Sequence, residues 1–198
     1  MKDLIKKLVE SVGPSGFEAQ VRKLIQAEIE GLADEVRVDA LGNLIARKGQ
    51  KTPNGQRLMF SAHMDEIGVM ATHIDDNGFV RFTTIGGVRP HTCYGSRVRF
   101  VNGVGGMIGG ERPDAPDKVH TFEQMFIDVG ATSRADCPVK VGDAGVFDRP
   151  LLEVEQLLST AKDCSVHKLN QDECTITSEN LGADRILVLQ PREHGQDE

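Results

Sequence analysis

The 198-residue chain has no Trp, one Tyr and eight Phe, so aromatic residues make up only 5% of it. That leaves little with which to stack on sugar rings. Cysteine is also sparse. The four residues, Cys93, Cys137, Cys164 and Cys174, include no Cys-x-x-Cys spacing, and Cys93 and Cys137 read as small buried side chains. No apolar run approaches the roughly 20 residues that span a bilayer, so no membrane association is expected. The first residues, Met1-Lys2-Asp3-Leu4-Ile5-Lys6-Lys7, lack the apolar centre of a signal peptide, and a cytoplasmic protein is the expectation. Positive charge is in deficit, with 23 Lys and Arg against 30 Asp and Glu for a net −7, which argues against a broad nucleic-acid footprint.

What remains is ordinary for a globular protein: 39% hydrophobic and 27% charged residues. Leu4, Ile5, Leu8 and Val12 fall at helical spacing, as do Phe17, Val21, Leu24, Ile25 and Ile29. Gly13-Pro14-Ser15-Gly16 separates the two patterns, Ser15 and Glu18 have capping-box spacing, and Gly31 is placed to close the second helix. Glu35–Asp39 and Leu44–Arg47 read as a hairpin across Leu41-Gly42-Asn43. Arg57–Ala62 reads as a buried central strand.

From Gly68 the pattern changes to short strands separated by glycine-rich turns, beginning with Val69–Ile74, the turn Asp75-Asp76-Asn77-Gly78, and Phe79–Thr83. Further strands are expected at 97–101, 104–108 and 125–129. The organisation expected is an α/β beginning over residues 1–68, an inserted β-barrel-like unit over 69–148, and an atypical tail over 149–198. Gly86-Gly87 and Gly105-Gly106 lack the Gly-Lys-Ser/Thr that would make a phosphate loop, so they read as turns.

The chemistry concentrates in Ser61-Ala62-His63-Met64-Asp65-Glu66-Ile67-Gly68. Side chains two apart on a strand face the same way, so His63 and Asp65 lie together at the strand end. A neutral imidazole suits Zn²⁺ or Co²⁺, and an adjacent carboxylate orients the ring. Glu66 points the other way and reads as structural. His73, His91 and His120, scattered through the β segment, read as surface or structural histidines.

Seven ordered segments resemble the M42 family of metal-dependent aminopeptidases. They are Gly13–Glu18, Val38–Asn43, Ala62–Gly68, Thr72–Phe79, Ile85-Gly86-Gly87, Phe126–Ala131, and Val141-Gly142-Asp143 with Phe147-Asp148-Arg149-Pro150. The resemblance implies a two-metal peptidase α/β domain interrupted by a β-rich dimerisation domain. It implies removal of N-terminal residues from peptide substrates by a water held between two divalent ions, Zn²⁺ or Co²⁺. On the same ground His63 is expected to be a metal ligand, Asp65 its catalytic support, and the β unit the route to a homo-oligomer.

The resemblance is expected to stop near Pro150. The rest of the family's centre (a bridging aspartate, a Glu-Glu pair, a further aspartate and a distal histidine) is not recognisable beyond it. Residues 151–158 have the pattern of a short amphipathic helix, Ile186–Leu189 that of a strand, and the tail reads as an out-of-frame gene end. Asp163, His167, Asp172 and Glu173 are chemically able to replace the lost ligands, but solvated polar residues are the simpler reading. The chain alone is therefore expected to be inactive or to act only within an assembly. The alternatives are a non-catalytic oligomerising subunit or a gene remnant, and, less favoured, an endoglucanase-like hydrolase, for which no carboxylate pair can be assigned.

Overall fold

The computed structural model describes residues 2–50, 55, 57–111, 119–154, 157–159 and 185–190. Two helices open the chain, α1 (Lys2–Val9) and α2 (Ala19–Glu28). Their apolar residues are half-buried, and Val21 is buried. Lys7 and Glu28 tie the helices together at 2.6 Å. Gly31, at φ 73°, follows the second helix as expected.

The capping box does not form. Glu18 is the residue before α2 and makes no side-chain cap bond; its carboxylate accepts the Gly16 N–H instead. Ser15 is thereby released for another partner, described below.

Strands β1 (Glu35–Val38) and β2 (Leu44–Lys48) form the expected antiparallel hairpin. Asp39 stabilises its turn by accepting the backbone N–H groups of Leu41 and Asn43 and the Asn43 side-chain amide. Strand β3 (Leu58–His63) leads into the His63 segment. It is not the buried strand expected from its apolar residues: Leu58 and Met59 are exposed, because among the described residues the strand paired with it covers an edge and not a face.

A closed six-stranded barrel follows. Its strands are β4 (Gly68–Ile74), β5 (Val80–Ile85), β6 (Arg97–Phe100), β7 (Gly105–Gly110), β8 (Met125–Asp128) and β9 (Ala144–Phe147), in the order β4-β5-β8-β7-β6-β9. The sequence reading found all of these except β9, whose Ala-Gly-Val-Phe is too short to show alternation. That strand closes the barrel by pairing with both β4 and β6. Closure removes open edges. Val69, Val80, Val98, Phe100, Ile108, Met125 and Ile127 fill the interior with almost no exposure. Cys93 is buried and Cys137 packs against this core, in line with their reading as small apolar side chains.

Beyond the barrel, residues 151–158 do not form a helix. Instead β10 (Leu152–Val154) and β11 (Leu157–Ser159) pair antiparallel. Leu152-Glu153-Val154 alternates with period two, and that local pattern prevails over the helical one. The Ile186–Leu189 strand is present as β12 (Arg185–Gln190). It lies between β2, to which it is antiparallel, and β3, to which it is parallel, giving a sheet ordered β1-β2-β12-β3. Large apolar residues are exposed at several places: Val36 and Val38 on β1, Leu58 and Met59 on β3, and Leu32 and Leu41 in turns.

Candidate active site

The site begins where β3 ends. His63 is its last residue, and two residues on the Asp65 carboxylate returns beneath the imidazole. His63 Nδ1 lies 3.0 Å from Asp65 Oδ1 and 3.0 Å from the Asp65 backbone carbonyl. Both neighbours can only accept when the carboxylate is ionised, so Nδ1 carries the proton and donates. The Nε2 lone pair is then left available. This is the tautomer a metal-ligating histidine needs when a carboxylate backs it.

Asp65 is 3% exposed, whereas the His63 side chain is 29% exposed. A carboxylate so buried requires hydrogen bonds to offset lost hydration. One comes from His63. Another comes from the Ser15 hydroxyl, which donates to Asp65 Oδ2 across 50 residues of sequence. The functional part of this contact was missed in the sequence, where Ser15 was assigned to the helix start. No local pattern announces a contact over that separation.

The next residue, Glu66, engages the loop before α2. Its N–H donates to Gly13 O at 3.0 Å, and Gly13 N–H donates to Glu66 Oε1 at 3.4 Å. Burial pushes the Glu66 carboxyl up to about 8, against the lowering influence of the Gly13 N–H and Arg99. Pro14 and Glu66 form an isolated parallel bridge, so the loop before α2 lies flat along the His63 segment. Gly13 is needed there because a Cβ would meet Val21 Cγ1 at 2.7 Å. Gly68 is needed on the other side, since its Cβ would fall 2.3 Å from Gly145 O of the barrel. Arg99 of β6 adds a second tie between the parts, donating to Glu10 O at 2.8 Å and pairing with Asp148 at 3.4 Å.

Three other described histidines lie in the barrel segment. His73 and His91 are exposed, and His120 stacks on Tyr94 with ring centroids 4.6 Å apart. Among the described residues no three His, Cys, Asp or Glu side chains gather as a metal site. Among the described residues the donor chemistry therefore fits one ligand position, His63 backed by Asp65. Asp163, His167, Asp172 and Glu173 lie outside the described residues.

Comparison with known proteins now bears on the pair. The M42 glutamyl aminopeptidase family matches residues 42–163. This chain belongs to that family. The match runs past Pro150, beyond the point at which the resemblance was expected to stop. A relative from Acetivibrio thermocellus, named as an aminopeptidase, is 45% identical over 166 residues, covering 82% of this chain and 49% of its own length. Among solved structures, aminopeptidase APDkam598 from Desulfurococcus kamchatkensis is 34% identical with a TM-score of 0.83, covering 96% of this chain and 55% of that one. PhTET1-12s, described as a dodecamer, is 31% identical with a TM-score of 0.77, covering 96% and 59%. A Thermotoga maritima protein named as an endoglucanase is 32% identical with a TM-score of 0.76, covering 96% and 59%. This M42 chain spans about half the length of the curated relatives it matches, 49%, 43% and 45% of the first three.

Proposed function

We propose that this chain carries one part of an M42 metal-dependent aminopeptidase centre, acting on the N-terminal residues of peptides, with His63 as a metal ligand and Asp65 as its support. The observation that carries the reading is the Nδ1 atom of His63 held at 3.0 Å by both acceptors of a buried Asp65, which leaves Nε2 to bind. A divalent cation of the Zn²⁺ or Co²⁺ class, when bound, supplies Lewis-acid polarisation for hydrolysis. His63 contributes a neutral nitrogen donor, and Asp65 fixes the ring's rotation and tautomer. Ligands completing a two-metal centre are not assigned among the described residues. Turnover by this chain is therefore proposed only within an assembly that supplies them.

The homo-oligomer proposed through the β unit is supported by PhTET1-12s, described as a dodecamer. The glycan-cleaving reading gains no support from the site. Asp65 and Glu66 point apart, one engaged by His63 and Ser15 and the other by Gly13, so they do not face each other across a bond to be cleaved.

The test is calorimetric titration of the purified chain with Co²⁺ and with Zn²⁺, beside His63→Ala, followed by assays on aminoacyl-anilides. Binding that is lost in His63→Ala supports the ligand assignment. Equal binding by the two proteins removes it. Robust metal-dependent release of amino acid by the isolated chain would overturn the need for an assembly.

A further inference from the structure

We propose that Ser15 is a positioning residue for the His63 imidazole, acting through Asp65. The inference rests on the reading of His63 as a metal ligand, but its structural half stands without it. The relay runs in one direction. The Ser15 hydroxyl donates to Asp65 Oδ2, and Asp65 Oδ1 accepts from His63 Nδ1–H at 3.0 Å. With Oδ2 engaged by Ser15, the carboxylate is held against rotation, so Oδ1 stays beneath the ring.

Ser15 is itself delivered by a loop fixed on several sides. Pro14 is buried and bridges to Glu66, and its carbonyl accepts the Phe17 N–H at 2.8 Å. Gly13 exchanges two hydrogen bonds with Glu66 and presses against Val21. Gly68 sets the Cα side of the same packing, its absent Cβ leaving room for Pro14 Cβ and Gly145 O. A hydroxyl at the end of so constrained a backbone reaches a buried carboxylate 50 residues away without a long flexible side chain. A helix-start role does not explain the contact: Glu18, not Ser15, precedes α2, and the Ser15 hydroxyl donates to Asp65.

The chemical consequence is specific. Removing the hydroxyl leaves Oδ2 of a carboxylate that is 3% exposed without that donor. The carboxylate is then free to turn, and the Nδ1–H tautomer of His63 loses the side-chain one of its two acceptors, the Asp65 backbone carbonyl alone remaining. Outer partners of metal-binding histidines commonly alter affinity by about 10–100-fold.

The experiment compares the full chain with Ser15→Ala and Ser15→Thr. The first readout is the tautomer of His63 in metal-free protein, taken from long-range ¹H–¹⁵N NMR spectra of the ring nitrogens. The second is the affinity for Co²⁺ by calorimetry. Ser15→Ala is expected to reduce the Nδ1–H tautomer and to weaken Co²⁺ binding by about 10–100-fold, while Ser15→Thr, which keeps the hydroxyl, retains both. A Ser15→Ala protein with an unchanged tautomer would overturn the proposal, and so would a Ser15→Thr protein that behaves like Ser15→Ala. A changed tautomer with no Co²⁺ binding by the parent chain would uphold the positioning role and overturn the ligand reading instead.

Discussion

Glu66 and Gly13 hold each other twice: the Glu66 N–H donates to Gly13 O at 3.0 Å, and the Gly13 N–H donates to the Glu66 carboxyl at 3.4 Å. The pairing fastens the loop before α2 to the His63 segment, at the cost of burying a carboxyl group. Burial, together with the Asp65 charge, raises the Glu66 pKa from 4.5 to about 8. In the folded state the proton is therefore retained over a range where the unfolded chain has lost it. Stability from this group is fully present below about pH 4.5 and falls as pH rises toward 8. Glu66→Gln keeps an acceptor and removes the titration. It should flatten the decline in thermal midpoint between pH 5 and pH 8 and gain about 1–3 kcal/mol at the upper end, allowing for water around a half-buried group. Parallel melting curves for the two proteins that keep the same pH slope would show that Glu66 is not the titrating group.

Gly68 marks where the α/β part meets the barrel. An added Cβ would sit 2.3 Å from the Gly145 carbonyl oxygen and 3.1 Å from Pro14 Cβ. Backbone must move to accommodate it, because neither neighbour is the end of a flexible side chain. Gly68→Ala should therefore destabilise the protein by about 1–3 kcal/mol, the usual range for overpacking. Urea unfolding gives the number directly. An unchanged midpoint would mean that the two parts are not pressed together at this point.

The turn between β8 and β9 provides an acid-side counterpart to Glu66. The Asp136 carboxylate accepts the Thr132 hydroxyl at 2.8 Å and the Ser133 N–H at 2.8 Å, along with the Thr132 N–H and Ser133 hydroxyl. The Thr132 side-chain bond leads the effects that lower its pKa from 3.8 to about 2. Here the folded state favours the charged form. The contribution is present above about pH 3.8 and is lost as pH falls through about 2. Asp136→Asn should be less stable than the parent at pH 6, and the gap should close toward pH 2. A gap that stays constant across that range would assign the effect to packing instead of charge.

Legibility in the sequence followed the range of the interactions. The helices, the β1–β2 hairpin and most barrel strands showed themselves because apolar period and turn residues are local signals. Strand β9 escaped since Ala144-Gly145-Val146-Phe147 has no alternation, only a place to fill between β4 and β6. The 151–158 segment was misread because Leu151, Leu152, Val154, Leu157 and Leu158 satisfy both helical and strand templates over so short a run. At the site, His63 and Asp65 were legible because two residues of strand put them together. Ser15 was not, because its partner lies 50 residues away and its local neighbour Glu18 offered a complete but incorrect explanation. The burial of β3 was overestimated for a related reason. Apolar composition states that a strand can be covered, while the covering element is a tertiary fact.

The pair itself yields the sharpest forecast. Asp65→Asn preserves the size of the side chain and leaves one oxygen and one NH₂ group where two equivalent oxygens stood. Two of its partners, the Ser15 hydroxyl and the His63 Nδ1–H, require acceptors, and one oxygen cannot occupy both positions. If the oxygen faces Ser15, the NH₂ group faces the ring and favours the tautomer with Nδ1 unprotonated and hydrogen on Nε2, in opposition to the Asp65 backbone carbonyl that accepts from Nδ1–H. If the oxygen faces the ring, the Ser15 hydroxyl must turn away from a donor. The first arrangement blocks the ligand nitrogen, and the second loosens its support. Asp65→Asn should therefore weaken Co²⁺ or Zn²⁺ binding by about 10–100-fold while changing the melting temperature only modestly. The barrel core lies apart from this pair, so near-ultraviolet circular dichroism should remain that of the parent. Titration calorimetry and thermal melting on the same preparation separate the two effects, and a variant that binds metal as tightly as the parent would remove Asp65 from the supporting role.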